Sequence, residues 1–425
     1  MSRIFNGGSV EVVGRYLVLA YGFKIFRFAL GDLLWKVANI LVLAVASRVL
    51  PETQAALVVL SQTASMIMLS LGDLGFRSTG IRLVAISRAQ AVDIARAVLF
   101  RRALATALLG LPAGLLCSAV MTDGVEAFTG LSLLVLAYLP YFMARDWALL
   151  GLSRTDYVAL ARLSYAIVVL SMVALAMMLD VDVKYFAVTM ASGYLAFAVV
   201  SGMLFDKVGV SSSAGSAKYS SVDIGKELAW RNSFALAVSF SLLTLFHSIE
   251  TIMIGALLGE SASATFAAPF RLIFSIYTLG WILAQYLSPQ FSQDAIEGGG
   301  RHWSNYLSGF LVCGALVGLA TYGAAPWLVD LVYGSAFPES ATLLRMLSPT
   351  IFLDAGVACL GTILVMQNRG VASALAIGCA CLASAVVLLL YAHHDVYAAV
   401  YAKFAGYLAL LLAQLIILLS AKPIR

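Results

Sequence analysis

The feature that most restricts the fold of this chain is a succession of twelve apolar segments, each about twenty residues long. A helix of about 20 residues crosses the hydrocarbon core of a bilayer, which is about 30 Å thick. Of all residues, 62% are hydrophobic and 12% are charged, whereas soluble domains have about 45–50% and about 25%. Because lipid offers the backbone no hydrogen bonds, segments that cross it form helices or closed barrels. We therefore predict an all-α, polytopic membrane protein with about 12 transmembrane helices.

The predicted spans form two groups of six. Between the groups lies the segment 206–226, whose SSSAGSAKYSS stretch is typical of a flexible linker. Leu50–Thr53 and Leu258–Ser261, which end the first and seventh spans, are similar in sequence. We predict an N-terminal lobe over 1–205 that starts with an interfacial helix, and a C-terminal lobe over 227–425, related by a pseudo-two-fold axis along the membrane normal. The predicted spans are 29–50, 54–73, 103–121, 127–145, 158–179, 185–205, 232–256, 265–287, 305–325, 342–366, 371–391 and 396–419.

Lysine and arginine residues are distributed unevenly between the two sets of connections. One set, together with the two termini, holds twenty of them, and the other holds Arg48, Lys184 and Arg345. Basic residues are enriched in the cytoplasmic loops of membrane proteins. This distribution predicts that both termini are cytoplasmic. The net charge of +5 is thereby explained without a nucleic-acid ligand.

Two charged residues, Glu250 and Arg271, lie near the middle of predicted spans. They stand about eleven and ten residues from the polar turn at 259–263, so a rise of about 1.5 Å per residue places both about 15 Å from one membrane face. Charges at that depth are costly and are usually retained for function. Pro269 precedes Arg271 and indicates either a local break in its helix near a site or, more commonly, a packing kink. We predict that Arg271 faces a polar cavity within reach of Glu250.

Three further basic residues lie inside predicted spans. Lys36 follows Asp32 by one turn, and the two form either a neutral pair near the interface or a pair whose lysine lines the cavity. Arg162 is about five residues into its span, which favours a side chain that reaches the headgroups. Lys403, about eight residues into the last span, fits interface anchoring and cavity lining equally well.

Two more ionisable residues complete the candidates. His247 shares a helix face with Glu250, as a proton relay or a cation site requires, although a structural hydrogen bond between helices explains the spacing as well. Asp354 follows Pro349 within the tenth predicted span. A proline there indicates either a broken helix near a site or a packing kink.

Signals of enzymatic chemistry are missing from the sequence. It has no phosphate-binding loop, no nucleophile elbow and no metal-ligand spacing, and its five cysteines lie in apolar segments. Free cysteine in such segments behaves as a small apolar residue. We therefore predict no metal, no cofactor and no enzymatic activity. Any energy input comes from an ion gradient or from consumption of the product.

Several segments, taken in order, resemble the polysaccharide flippase branch of the MOP exporter superfamily, which includes the O-antigen and exopolysaccharide translocases. The resemblance covers most of the chain. The segments that carry it are Ala46–Pro51, Gly72–Arg82, Ile249–Gly255, Phe266–Arg271, Leu331–Phe337 and Leu364–Arg369.

The resemblance implies a protein of the bacterial cytoplasmic (inner) membrane that moves an undecaprenyl-pyrophosphate-linked oligosaccharide to the outer leaflet, for O-antigen, capsule or exopolysaccharide synthesis. It implies alternating access around a central cationic cavity. Membrane lipids, a polysaccharide polymerase and a chain-length regulator are the implied partners. Family members often have Asp at the position of Glu250. The expected substrate cations are Arg271, Lys36, Lys403 and Arg162, and the expected ion-coupling or pairing residues are Glu250, His247, Asp32 and Asp354.

Three other functions remain open. A multidrug or small-solute exporter of the same superfamily would have a smaller cavity that is mainly acidic or aromatic. A membrane O-antigen polymerase or ligase would need a large extracytoplasmic loop with arginine and histidine, whereas the loops expected on that side are short and acidic. A flippase-like scaffold without transport activity would serve a biosynthetic complex.

Overall fold

The computed structural model describes most of the chain, and the remaining residues lie outside this description. All regular secondary structure in the described part is helical, as predicted. The predicted interfacial helix, both termini and much of the predicted linker lie outside the described residues. The described ranges are 30–213, 230–296, 303–334, 337–366, 369–391 and 395–420.

The N-terminal lobe contains nine helices in the described ranges. A π-helical segment, Thr106–Gly110, joins the fourth helix to the fifth, and a 3-10 segment, Leu139–Met143, follows the sixth. The helices are α1 (Leu30–Val49), α2 (Glu52–Asp73), α3 (Phe76–Ile86), α4 (Ala91–Ala105), α5 (Leu111–Met121), α6 (Val125–Leu136), α7 (Asp146–Gly151), α8 (Thr155–Ala176) and α9 (Val183–Ser213).

The C-terminal lobe contains seven helices in the described ranges. They are α10 (Trp230–Leu258), α11 (Glu260–Ile296), α12 (Trp303–Tyr333), α13 (Ser340–Leu347), α14 (Thr350–Met366), α15 (Gly370–Tyr391) and α16 (Ala398–Leu419). Among the described residues, eleven helical segments are long and apolar enough to cross a membrane, and a bent pair, α13 with α14, supplies the twelfth.

The bend in the tenth predicted span occurs at Pro349. Helices α13 and α14 meet there at 45°. Proline has no N–H, so the carbonyl of Arg345 loses its usual helical partner. The Ser348 hydroxyl donates to that carbonyl at 2.8 Å. The bend therefore leaves this backbone oxygen satisfied inside an apolar environment.

Two predictions about local structure differ from the observed helices. Helix α11 runs without interruption through Pro269, so of the two expectations for this proline the broken helix is not observed. Neighbouring helices can support a proline within a membrane span. Beside this proline, the Tyr333 hydroxyl of α12 donates to the Ala268 carbonyl at 2.7 Å and joins α12 to α11. Helix α9 continues to Ser213, which lies inside the segment predicted to be a linker.

The two ends of the bundle differ in charge. We call the end formed by the turns after α1, α5, α8, α10 and α12 the arginine-poor end, and the opposite end the arginine-rich end. At the arginine-poor end the lobes are joined by hydrogen bonds. The Ser47 hydroxyl donates to the Val332 carbonyl at 3.3 Å, and the Arg48 guanidinium donates to the Leu331 carbonyl at 2.5 Å.

Residues of α1 and α11 are more deeply buried in the half of the molecule near the arginine-poor end. In α1, all residues of Val42–Ala46 are buried, whereas Leu30 and Leu33, nearer the arginine-rich end, are exposed. In α11, Phe266–Ile273 is buried throughout and Phe274–Ile276 is only partly buried. Both helices are thus more deeply buried toward the arginine-poor end than toward the arginine-rich end.

The Gly72–Arg82 segment forms a turn that is held by ion pairs at the arginine-rich end. Gly75 has a φ of 73°, a left-handed conformation that suits glycine. Asp73 lies 2.8 Å from the guanidinium of Arg102, and Arg77 lies 2.6 Å from Asp146. These pairs join α2, α3, α4 and α7, which gives this segment a structural role.

Candidate functional site

The C-terminal lobe contains an ion pair that is fully removed from solvent. Lys403 on α16 and Glu250 on α10 lie 2.6 Å apart, Nζ to Oε2, and both side chains are 0% exposed. The Lys403 ammonium also donates to the Phe246 carbonyl at 2.8 Å. Each charge would be very costly if it were buried alone. The pair therefore neutralises both groups within the lobe.

Aromatic rings surround the Lys403 ammonium. Its Nζ lies 4.8 Å from the ring centre of Phe246, 4.6 Å from that of Phe270 and 5.9 Å from that of Tyr407. Ring faces attract cations at these distances. Oε1 of Glu250 has no hydrogen-bond partner among the described residues. The pocket is thus built more completely around the cation than around the carboxylate.

Three residues from three helices form a polar chain beside this pair. The Tyr407 hydroxyl on α16 donates to Oδ1 of Asp354 on α14 at 3.2 Å. Nδ1 of His247 on α10 lies 3.5 Å from the same hydroxyl. Histidine, tyrosine and carboxylate in a row can pass or hold a proton. The structure therefore brings together His247 and Asp354, which are distant in sequence.

A second pair of polar side chains, Tyr277 on α11 and Thr350 on α14, lies beside this polar chain, with the Tyr277 ring centre 5.5 Å from that of Tyr407. The Tyr277 hydroxyl lies 2.5 Å from Oγ1 of Thr350, next to the bend at Pro349. A cavity of about 110 Å³ between α11, α12 and α14 has Tyr277 and Asp354 in its wall. Asp354 is therefore close to space that a small molecule or water can enter.

Arg271 lies at the interface between the lobes. It is 7% exposed, and its Nη2 donates to the hydroxyl of Thr63 on α2. Its Nη1 lies 3.1 Å from the Met66 sulfur, and its Nε has no hydrogen-bond partner among the described residues. Within the described residues, no carboxylate oxygen lies within 4.0 Å of this guanidinium. Arg271 is thus a buried cation that the protein does not neutralise with an acid.

The expected pairing of Arg271 with Glu250 is not what the structure shows. Glu250 pairs with Lys403 inside the C-terminal lobe, and Arg271 contacts Thr63 and Met66 of the N-terminal lobe. The two spans are consecutive, but their charged residues point to different neighbours. Because Glu250 pairs with Lys403 on α16, Arg271 does not contact this carboxylate and instead donates to Thr63 at the lobe interface.

The N-terminal lobe holds a group of three charges that is partly accessible. Asp32 on α1 accepts from Lys36, one turn along, and its other oxygen lies 3.1 Å from Nη1 of Arg162 on α8. The side chains of Lys36, Asp32 and Arg162 are 23%, 20% and 14% exposed. Two cations share one carboxylate, so these three side chains carry two positive charges and one negative charge.

Aromatic side chains hold α1 in place next to these charges. Trp35 stacks on Tyr165 with 3.9 Å between ring centres, and the Tyr165 hydroxyl donates to Asn39 at 3.0 Å. Tyr194 and Phe197 of α9 meet Trp35 edge-on. This packing fixes the face of α1 that carries Asp32 and Lys36.

Tyr407 is the contributor that sequence reasoning missed. It is not among the candidates identified in the sequence, yet its ring lies 5.9 Å from the Lys403 ammonium and its hydroxyl meets His247 and Asp354. Its spacing of one helical turn from Lys403 was the available signal. Across the described ranges, no group of three or more His, Cys, Asp or Glu side chains is placed to hold a metal ion.

The fold and these sites define a class, a polytopic helical membrane protein built from two lobes with polar groups at and beside their interface. Neither a protein-family model nor a curated protein matches the sequence. Solved structures do match. The inward-facing conformation of a multidrug resistance MATE family transporter of the MOP superfamily is similar with a TM-score of 0.67 and 14% identity, over 91% of this chain and 93% of that chain.

Two further structures show the breadth of the similarity. The eukaryotic MATE transporter AtDTX14 matches with a TM-score of 0.64 and 14% identity, over 95% of this chain and 96% of that one. The lipid II flippase MurJ, in its inward closed conformation, matches with a TM-score of 0.59 and 11% identity, over 92% and 91% of the two chains. The chain therefore shares its all-helical fold with two MATE transporters and with a lipid flippase.

Proposed function

We propose that this protein is a flippase for an undecaprenyl-pyrophosphate-linked oligosaccharide in the bacterial inner membrane. The observation that carries the proposal is Arg271, a cation at the lobe interface that has no acidic partner in the described part of the chain. A buried charge without a counter-ion is costly. It is therefore best explained by an anion that arrives with the substrate.

Pyrophosphate suits this position for a chemical reason. The guanidinium keeps its charge when buried and presents parallel N–H groups that match two phosphate oxygens. Its present contacts, the Thr63 hydroxyl and the Met66 sulfur, are neutral. A diphosphate can replace them without displacing a carboxylate.

The N-terminal lobe supplies the approach to Arg271. In our proposal the arginine-rich end faces the cytoplasm, where the substrate is made. The group Asp32, Lys36 and Arg162 is partly exposed and has one more positive than negative charge. It attracts the head group before the head group reaches the deeper Arg271.

Release to the outer leaflet requires the lobes to separate at the arginine-poor end. The hydrogen bonds from Ser47 and Arg48 to the end of α12 must then break, and so must the contact of Arg271 with Thr63. Substrate binding at Arg271 offsets part of the cost of breaking these hydrogen bonds. We assign coupling to the chain of His247, Tyr407 and Asp354, with Glu250 as the pairing acid of the same lobe.

Export of drugs or other small solutes is the second candidate function. Two observations favour it: similarity to MATE transporters with TM-scores of 0.67 and 0.64, and the buried acids Glu250 and Asp354 in the C-terminal lobe. Glu250 is already neutralised by Lys403, and Arg271 repels cationic drugs. These two facts favour an anionic substrate.

The test compares Arg271→Ala with Arg271→Lys in liposomes that contain the purified protein and a short undecaprenyl-pyrophosphate oligosaccharide. Hydrogen bonds to charged groups contribute about 1.5–3 kcal/mol, so we expect Arg271→Ala to slow flipping roughly 10- to 100-fold. Arg271→Lys should recover part of the rate, since lysine keeps the charge but loses the paired N–H groups. Lectin access to the sugar reports flipping.

Arg345→Ala is the matched control. This arginine is exposed on α13, near the ring of Tyr322, and its loss should leave the flipping rate unchanged. Uptake of a cationic dye by the same liposomes tests the second function. Normal flipping by Arg271→Ala, or dye transport without any flipping by the unaltered protein, would refute our proposal.

A further inference from the structure

The surroundings of the Lys403 ammonium have the chemistry of a monovalent-cation site. A carboxylate oxygen of Glu250 lies 2.6 Å away and the Phe246 carbonyl oxygen 2.8 Å away. The ring centres of Phe246, Phe270 and Tyr407 lie 4.6–5.9 Å from the ammonium. Oxygen ligands and aromatic faces together are what protein sites for alkylammonium ions use. Here the ion is a side chain of the protein itself.

No other cation can serve Glu250 in its place. Among the described residues, Lys403 is the basic side chain within 4.0 Å of this carboxylate. Arg271 contacts Thr63 across the lobe interface, and His247 contacts Tyr407. Without Lys403, Glu250 would be a fully buried carboxylate with no positive partner, which is strongly unfavourable.

Glu250 also has unused binding capacity. Its Oε1 is buried and makes no hydrogen bond within the described part of the chain. A carboxylate accepts several hydrogen bonds when it is ionised. A small cation with free N–H groups could therefore bind there if the lysine side chain were absent.

We propose that Lys403 is a tethered counter-ion that permanently fills a monovalent-cation site in the C-terminal lobe. The protein therefore binds no dissolved cation at Glu250, whatever its substrate is. Its ammonium stays attached to α16 and cannot be released to either side of the membrane. The proposal is independent of the flippase function, because it concerns which ion stabilises the lobe.

The test replaces the tether with a free ion. Lys403→Ala removes Cγ, Cδ, Cε and Nζ, which together have the shape of propylammonium. We would measure the thermal unfolding midpoint of the purified protein in detergent with ammonium, methylammonium, propylammonium, sodium or N-methylglucamine chloride at constant ionic strength. An ion that binds only the folded state raises the midpoint.

We expect the unaltered protein to have the same midpoint in all five salts. Lys403→Ala should unfold at a clearly lower temperature in N-methylglucamine, which is too large for the space. Propylammonium should restore several degrees with a saturable dose response, and methylammonium should restore less. Equal effects of the salts on the unaltered and altered proteins would overturn the proposal.

Two matched variants separate charge from volume. Lys403→Met keeps most of the volume without the charge, so it should be destabilised and should not respond to propylammonium. The double variant Glu250→Gln with Lys403→Ala lacks both charges, so it should lose the dependence on propylammonium.

In one outcome Lys403→Ala accumulates as folded protein only when propylammonium is present, and in another it does not accumulate at all while the double variant does. In either case the unpaired Glu250 carboxylate is the cause of the instability, and the proposal stands. If the double variant is as unstable as Lys403→Ala, or if Lys403→Met responds to propylammonium as Lys403→Ala does, the charge is not the reason and the proposal is wrong.

Discussion

Lysine and acidic residues inside membrane spans differ in pairing and in burial between the two lobes. In the C-terminal lobe, Lys403 and Glu250 pair one to one and are 0% exposed. In the N-terminal lobe, Lys36 and Arg162 share Asp32, and all three are partly exposed. The difference shows that a lysine inside a membrane span is not a substrate site merely because it is charged.

Burial and charge balance together separate the two cases. A neutralised, fully buried pair cannot attract an anion, but removing either member is costly. A partly exposed group with excess positive charge contributes little to stability and can still attract an anion. Arg271 lies between these extremes, because it is 7% exposed and its contacts are neutral.

The substitution with the largest expected effect, and therefore the strongest test of this difference between the lobes, is Glu250→Gln. It leaves the Lys403 ammonium buried without its carboxylate, and breaking a buried pair costs about 3–5 kcal/mol. We expect the free energy of unfolding to fall by that amount in detergent or bicelles. Glu260→Gln, at the arginine-poor end of α11, is the control and should cost less than about 1 kcal/mol. Equal effects of the two substitutions would show that the buried pair is not special.

Arg102→Met should have the next largest effect. Arg102 is 1% exposed and lies 2.8 Å from Asp73, which is 22% exposed, so one member of this pair can regain water when the other is lost. Hydrogen bonds to charged groups contribute about 1.5–3 kcal/mol, and we expect a loss of unfolding free energy in that range. Arg96→Met, at an exposed position of α4, should change stability by less than about 0.5 kcal/mol. If Arg102→Met lowered the free energy of unfolding as little as Arg96→Met, the loss of stability would not depend on how deeply the substituted charge is buried.

The fold was largely predictable because its signals are local. Apolar length identifies a membrane span wherever it packs, so the eleven single spans and the bent pair agree with the prediction. Pro349 marked the bend in the tenth span correctly, since its missing N–H acts within one turn. Pro269 did not break α11, because packing against neighbouring helices decides whether a proline interrupts a span.

The sequence identified individual residues of the site but not which of them contact one another. Depth in the membrane identified Glu250 and Arg271, and both are buried. Their partners could not be inferred, because Lys403 lies on the last helix and Thr63 on the second. Which helix faces meet depends on the packing of the whole lobe. Tyr407 lies one helical turn from Lys403, which the sequence shows, but its contacts with His247 and Asp354 depend on the same packing.

Asp32→Asn should have the smallest effect, and it tests the N-terminal side of the comparison directly. Partly exposed ion pairs contribute about 0–1 kcal/mol, because water and salt screen the charges that lose their partner. The three side chains are 14–23% exposed, so both cations can be solvated once the carboxylate is gone. We therefore expect the free energy of unfolding to change by less than about 1 kcal/mol, well below the loss from Glu250→Gln in the same measurement.

The same substitution should strengthen anion attraction. With Asp32 neutral, Lys36 and Arg162 leave two positive charges where there was a net of one. Attraction of a pyrophosphate head group should rise, and more so at low salt, since exposed charges are screened as ionic strength increases. Flipping by Asp32→Asn, measured at low substrate concentration and two salt concentrations, should therefore equal or exceed that of the unaltered protein. Asp32→Glu keeps the charge and should match the unaltered protein. A large loss of stability in Asp32→Asn would mean that this group, like the pair in the other lobe, exists to hold the helices together.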